Sequence, residues 1–287
     1  MNDHEAMDGI SKLLKWGANS ALPTYLRRSC ARKFRRRNLG KALEVPTAAG
    51  CRLRVVIGDN VDNEIALTGG FEPHISALIR KIASSTEGGF LDVGCHLGYY
   101  STMVSAVRPG VRVTAVDANP VMAGRCRDNL KRNGFPGEVI NVGVGAEHAV
   151  LNFHTSKRSP SLGTFGDSPP SDMEVETIQV RVVPFSEIVD GFEGPVALMK
   201  MDVEGYEYLA LSTLRADQVE RIANMIIEFS EERLKQCGQS RESFLSLPWL
   251  AQYEQKLITE DGELEPLGSL AEVPGGDQNI WLSRKNP

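Results

Sequence analysis

"FLDVGCHLGYYS", residues 90–101, opens with an apolar run interrupted by Asp92 and then breaks into two glycines four positions apart, Gly94 and Gly98. A short apolar run punctuated by glycine and followed by a helix-compatible stretch reads as a buried strand turning into a helix. In an open α/β sheet such a turn lies at the carboxyl end of the strand, where nucleotide-like ligands bind. The turn lacks the G-K-[ST] of a phosphate-binding loop. A G-x-G-x-x-G fingerprint started at Gly94 finds His96 and Tyr99 where its second and third glycines belong. The second glycine of that fingerprint lets a pyrophosphate approach the backbone, so a histidine there argues for a ligand without one.

S-adenosylmethionine meets that condition, with adenine and ribose but no phosphate, and with a sulfonium and an amino group that favour nearby carboxylates. Asp92 is placed to receive the amino group, directly or through water. Asp117, ending a second apolar run "VRVTAVDA", is placed to accept hydrogen bonds from the ribose hydroxyls, as an acid does in folds that bind NAD.

Outward from this turn, short Val- and Ile-rich runs alternate with helical segments, the pattern of an α/β domain with a mostly parallel sheet. "GFLDVG", "VRVTAVDA", "EVINVGVG", "VALMKMD" and "NMIIEFS" read as successive strands and "QNIWLSR" as a last one. A helix is expected near residues 99–107. A second is capped by Asn119, opened by Pro120 and closed by Gly134, with Met122, Cys126 and Leu130 on one face. "EGYEYLALSTL" predicts a helix with Glu204 and Glu207 in its first turn, where the dipole favours acids. Between β-like "AVLNFHTS" and "TIQVRVVPF" lies a Ser/Pro/Gly-rich stretch long enough to cover a site. His154, Lys157 and Ser161 are its candidate substrate contacts. Residues 1–70 read as a basic helical extension with a β segment, "CRLRVVIG", preceding a main domain over 71–287.

"KMDVEGYEYLAL", residues 200–211, sets Asp202 at a strand end that faces the ligand crevice. Together with "LDVGCHLGYYS", "VDANP", "INVGVG" and "MIIEFS", in this order, it resembles the FkbM family of class I S-adenosylmethionine-dependent methyltransferases. K-x-D-V-E-G-x-E is the most specific element. The resemblance implies a Rossmann-like, mostly parallel seven-stranded sheet with helices on both faces. It also implies a cofactor site drawing on Glu72 of "FEPH", Asp92, Gly94, His96, Gly98, Asp117, Ala118, Asn119, Gly143, Val144 and Asp202. His96 stands where the family pattern has Asn, Cys95 where it has Ala, and "VDANP" where E-P-N-P is more frequent.

The implied activity is O-methylation of a hydroxyl on a sugar, glycan, lipid or secondary metabolite. A hydroxyl nucleophile loses its proton during or after attack, which a general base assists. Asp202 leads on location, with His96, Glu204 and His154 as further candidates. No metal is expected, because Asp202, Glu204 and Glu207 bring no histidine ligand and the two glutamates are explained by the helix dipole. "D-P-P-Y" and "P-C" sequences, which base-methylating enzymes would require, are absent.

Charge bears on partners. The formal net charge of -5 argues against a general nucleic-acid binder, yet residues 26–41, "LRRSCARKFRRRNLGK", carry eight cations and no acid. That segment is the sole support for an RNA methyltransferase. A non-catalytic module that keeps the cofactor pocket is the other alternative. Five scattered cysteines without a CxxC pair suit reduced thiols and a cytoplasmic setting, and no apolar run is long enough to span a bilayer.

Overall fold

The computed structural model describes residues 24–156, 163–165 and 175–285. These separate between Phe71 and Glu72 into two compact units. In the first, helix α1 (Thr24–Asn38) is followed by an antiparallel pair, β1 (Ala42–Pro46) and β2 (Arg52–Val56), and by α2 (Asn60–Thr68). Asp59 caps α2 by accepting the Val61 N–H, and Leu53 and Val55 on alternate positions of β2 are fully buried. Arg32, Lys33, Arg35, Arg36 and Arg37 of α1 are exposed, as a helix without apolar spacing on that face requires.

The second unit begins with α3 (Pro73–Ser85) and then enters β3 (Gly89–Val93), α4 (Tyr99–Val107), β4 (Val113–Val116), α5 (Pro120–Arg132) and β5 (Glu138–Ile140). The chain next leaves the main sheet to form β6 (Gly143–Gly145), β7 (Ala149–Ser156), β8 (Gly163–Phe165) and β9 (Val175–Pro184), a separate four-stranded sheet ordered β6-β9-β7-β8. After α6 (Phe185–Gly191) it returns as β10 (Val196–Met201), α7 (Glu207–Leu211) and, beyond a short helix at Ala216–Glu220, β11 (Asn224–Ser230). It finishes with β12 (Tyr253–Ile258), β13 (Leu264–Leu267) and β14 (Asp277–Arg284).

The main sheet has order β13-β12-β14-β11-β10-β3-β4-β5. The run from β11 to β5 is parallel and the β14, β12 and β13 edge is antiparallel. β3 and β10 are buried at every position, as strands covered on both faces must be. Leu91, Val93, Met199, Met201 and Ile227 form the centre of the core, closed by Phe185, Phe192 and Leu211.

The mostly parallel α/β sheet agrees with the sequence reading, and three details correct it. The sheet has eight strands rather than seven, because Leu264–Leu267 folds back on β12 through a turn at Gly262. "EVINVGVG" is two strands in two sheets. The break falls at Asn141, whose side-chain amide turns away to donate to the carbonyls of Asp117 and Ala118 at the end of the neighbouring strand. Helix α7 starts only at Glu207, so Glu204 lies outside it. Glu204 has φ +58° and Gly205 φ +102°, and this left-handed pair ends β10 in a sharp turn.

Candidate active site

The order of the parallel strands creates a switch point. From β3 the chain proceeds outward through β4 and β5, then crosses back to place β10 on the other side of β3. Connections leaving β3 and β10 therefore diverge at their carboxyl ends and leave a crevice there. The two ends are joined by the Asp202 N–H donating to the Val93 carbonyl at 2.9 Å. Gly94, with φ +81°, is packed so closely that a Cβ would stand 1.8 Å from the Asp202 carbonyl oxygen. The glycine is demanded by the approach of β10 and not by a phosphate. Gly98, at the amino end of α4, is likewise pressed against Cys126 of α5.

On the β4 side, Asp117 is half-buried, and its two carboxylate oxygens accept the backbone N–H of His96 at 2.7 Å and of Asn119 at 2.8 Å. Asn119 caps α5 through the Val121 N–H. Asp117 is thereby held in one orientation at the strand end with lone pairs remaining. This geometry fits a ribose diol, and the histidine backbone at φ +51° offers no glycine cradle for a pyrophosphate. The cofactor expected from the sequence fits on this observation. Asp92 behaves differently from a ligand-facing acid: it is 1% exposed, and its Oδ2 accepts both the N–H (3.0 Å) and the hydroxyl (2.5 Å) of Ser101. Burial pushes its carboxyl up to about 6 against the opposing pull of Ser101 and Lys200. In the structure it fastens β3 to the first turn of α4.

Beyond Asp202 lies a polar cluster. Lys200, inside β10 and 2% exposed, places Nζ 3.2 Å from Asp202 Oδ2. Burial alone would lower its pKa, but Asp202, Glu72 and Glu228 raise it, so the lysine is charged. Asp202 is pushed upward by its surroundings, yet Lys200, a hydrogen bond with Glu228, and Arg233 bring it net below the usual carboxylate range. Glu207, 3% exposed, accepts the Val203 N–H at 2.9 Å, and burial pushes it up to about 7. Arg233 reaches Glu204, Glu228 (2.9 Å) and Asp277 (3.2 Å). Oxygens of Asp202, Glu207 and Glu228 lie within 4.8 Å of one another, a spacing that a divalent cation also accepts, but here two side-chain cations already face them.

Three non-glycine residues have left-handed backbone among the described residues: Glu72, His96 and Glu204. All three were singled out from the sequence, and all border this crevice or its cluster. Each such residue costs on the order of 1–3 kcal/mol and persists where surrounding contacts over-determine it. Glu72 is held by the Tyr100 hydroxyl and Glu204 by Arg233.

The remaining sequence candidates divide clearly. Ala118 follows Asp117 in the same turn, with its carbonyl held by Asn141. Gly143 and Val144 are buried in β6; a Cβ on Gly143 would meet Phe165 at 2.9 Å, so its small size serves packing. His154 is 3% exposed inside β7, with Nδ1 2.8 Å from the Thr177 hydroxyl on β9, which makes it a sheet residue and not a base. Lys157 and Ser161 lie outside the described residues. Phe165 of β8 packs at a tilt against both Phe153 and Tyr206, with 4.8 Å between centroids, tying the smaller sheet to the turn after Asp202.

Sequence reasoning overlooked Lys200, Glu228 and Arg233. The signal for Lys200 was present: a lysine inside "VALMKM", an otherwise apolar central strand, demands a buried partner. Glu228 in "MIIEFS" carried the same signal. Nothing local marked Arg233, which arrives from another element.

A family model described as Methyltransferase FkbM domain matches residues 92–253. Among curated proteins, the chain is similar to a ribosomal RNA small subunit methyltransferase C of Cronobacter sakazakii, 32% identical over 78 residues, covering 27% of this chain and 23% of that protein. It is also similar to a protein-L-isoaspartate O-methyltransferase of Aeropyrum pernix, 34% identical over 84 residues, covering 29% and 32% respectively. The match thus spans less than a third of either relative. A solved SAM-dependent O-methyltransferase from Thermotoga maritima aligns over 87% of this chain and 79% of its own, at 14% identity and TM-score 0.40.

Proposed function

The chain belongs to the FkbM family of S-adenosylmethionine-dependent methyltransferases, and from that premise we propose that it methylates a hydroxyl oxygen on a sugar, glycan, lipid or secondary metabolite, with Asp202 as general base. The observation that carries this reading is the position of Asp202: a carboxylate one-third exposed, at the switch point, against the cofactor turn, and kept ionised by a buried lysine.

S-adenosylmethionine supplies an electrophilic methyl group when bound. Asp117, oriented by the His96 and Asn119 amides, holds the ribose; Gly94, Gly98, Ala118, Gly143 and Val144 shape the backbone around the ligand. Asp92 acts through α4, setting the turn rather than touching the amino group. Glu72, anchored by Tyr100, faces the same cluster as Lys200. Asp202 orients the acceptor hydroxyl and takes its proton, an assistance worth typically 10²–10⁴-fold, while alignment of hydroxyl and methyl supplies the rest. Glu204, spent on Arg233, serves to shape the turn. Lys200 and Arg233 occupy the positions of positive charge that a metal would otherwise take, which supports a metal-independent reaction; activity unchanged by a chelator is the expected result. The unpaired thiols of Cys51, Cys95, Cys126 and Cys237 support action in the cytoplasm.

Calorimetry tests the cofactor, with micromolar-range binding of S-adenosylmethionine and S-adenosylhomocysteine and none of NAD expected; binding of NAD alone overturns the reading. Product mass spectrometry with a labelled methyl donor and cell extract tests the acceptor, the label being expected on an ether oxygen.

A second reading, methylation of RNA, draws on the exposed Arg32, Lys33, Arg35, Arg36 and Arg37 of α1. Tight RNA binding that weakens steeply with salt and is lost in an R35A/R36A/R37A variant would favour it.

A further inference from the structure

Glu228 has no part in the reaction described so far, although its carboxyl lies within 4.8 Å of the proposed base. The β10/β11 register pairs Met201 with Ile227, which sets Asp202 beside Glu228 at adjacent strand ends. Carboxyl oxygens of the two lie within 4.8 Å of each other. Two ionised carboxylates this close repel in a partly dry site, and one proton held between them relieves the repulsion.

The surrounding charges require the same proton. Lys200 comes from β10 and Arg233 from the helix at Glu231–Gln236. Facing these two cations are six carboxyls: Asp202 after β10, Glu204 in the turn, Glu207 on α7, Glu228 on β11, Asp277 on β14 and Glu72 ahead of α3. Tyr100 of α4 donates to Glu72, and buried Asp92 of β3 adds a further acid behind Lys200. Full ionisation would leave a large excess of negative charge in a partly dry site, which proteins relieve by retaining protons.

The proton has a preferred side. Lys200 Nζ sits on Asp202 Oδ2, whereas Glu228 is the less exposed of the two, at 16% against 34%. A neutral carboxyl at Glu228 can still accept from Arg233 through its carbonyl oxygen, as the 2.9 Å contact requires, while donating to Asp202. Burial and the Asp202 charge push Glu228 up to about 10, in line with this assignment.

Resting on the methyltransferase reading, we infer that Asp202 and Glu228 work as one proton-sharing pair, Glu228 carrying the proton and Asp202 the charge, with Lys200 as the positioning residue that keeps this order. Asp202 accepts the proton of the acceptor hydroxyl as its oxygen bonds to the methyl carbon; the carbon–sulfur bond breaks and its electron pair stays on sulfur. The positive charge lost from sulfur reappears as one proton held on the pair and later released to solvent. Because Glu228 already donates to Asp202, the pair spreads the charge that Asp202 carries before the transfer.

The full-length protein labelled with ¹³C at glutamate carboxyls, titrated by NMR without cofactor, tests the protonation state directly. One glutamate signal titrating above pH 8, absent in E228Q, is expected. No glutamate titrating above pH 8 in the wild-type protein overturns the pair, and this result stands even if E228Q does not fold. In turnover, E228Q, whose neutral amide keeps both the donor and the acceptor, is expected to hold kcat within threefold, whereas E228A is expected to lower kcat at least tenfold with cofactor affinity changed less than threefold; wild-type kcat in E228A overturns the inference. K200M is expected to move the acidic limb of kcat/KM up by at least one pH unit, with K200R restoring it, whereas a merely structural lysine would leave the limb in place. Failure of the wild-type protein to bind S-adenosylmethionine would instead overturn the methyltransferase reading, whatever the titration shows.

Discussion

At the scale of single residues, the crevice is built by close backbone approach and by fixed carboxylates. Gly94 combines a left-handed φ with a Cβ position inside the Asp202 carbonyl. G94A is therefore expected to destabilise the protein by about 2–4 kcal/mol, from the left-handed penalty and local overpacking together; denaturant unfolding measures it, and a loss below 0.5 kcal/mol would mean that β10 moves aside freely. Asp117 makes the opposite prediction, because it is fixed by two amides and supports no core. D117A should weaken S-adenosylmethionine at least tenfold in calorimetry while shifting the melting temperature little. The residue types at these positions, two glycines and two acids, were legible in the sequence. Which acid faces the crevice was not, since Asp92 interrupts one apolar run and Asp117 ends another, and only packing turns Asp92 inward to Ser101.

At the scale of elements, β3 and α4 are locked by a buried side-chain bond, and the site's geometry depends on the start of α4. Removing the Ser101 hydroxyl leaves a buried carboxyl with one donor fewer, at a cost of about 1–3 kcal/mol. S101A should lower stability by that amount and also raise KM for the cofactor, because the His96 amide that orients Asp117 precedes the same helix. A stability loss with unchanged KM would separate the lock from the site. Element limits follow from local chemistry where caps exist: Asn119 and Pro120 start α5, as their types and order foretell. They fail where a tertiary partner decides. "EVINVGVG" is rich in valine and isoleucine and reads as one strand, but Asn141 is drawn to the end of β4 and splits it between two sheets. "DVEGYE" carries helix-favouring acids, yet Glu204 is pulled to Arg233 and Gly205 lies where a Cβ would meet the Arg233 carbonyl at 2.7 Å, so α7 starts three residues later than Glu204.

Over the whole molecule, buried acids link folding to pH. Asp92, Glu207 and Glu228 have folded-state pKa values raised to about 6, 7 and 10, above their ordinary values near 4, so the native state holds more protons than the unfolded chain across that interval. Their stabilisation is present below pH 4 and is lost as pH rises through the folded values. The melting temperature is expected to fall between pH 6 and pH 9, and E207Q to flatten the first part of that fall; a melting temperature that rises over this interval would contradict the assignment. The parallel α/β class, the cofactor turn and the family were readable in sequence alone because they rest on short-range facts: apolar runs of strand length, glycines where the backbone must turn, and acids at strand ends. The eighth strand, the second sheet and the charge cluster were decided by tertiary structure, since Lys200, Glu228 and Arg233 lie on three elements whose meeting depends on strand order. Sequence spacing carries the period of a strand or helix, whereas a buried charge is specified by partners that only the folded sheet brings within reach.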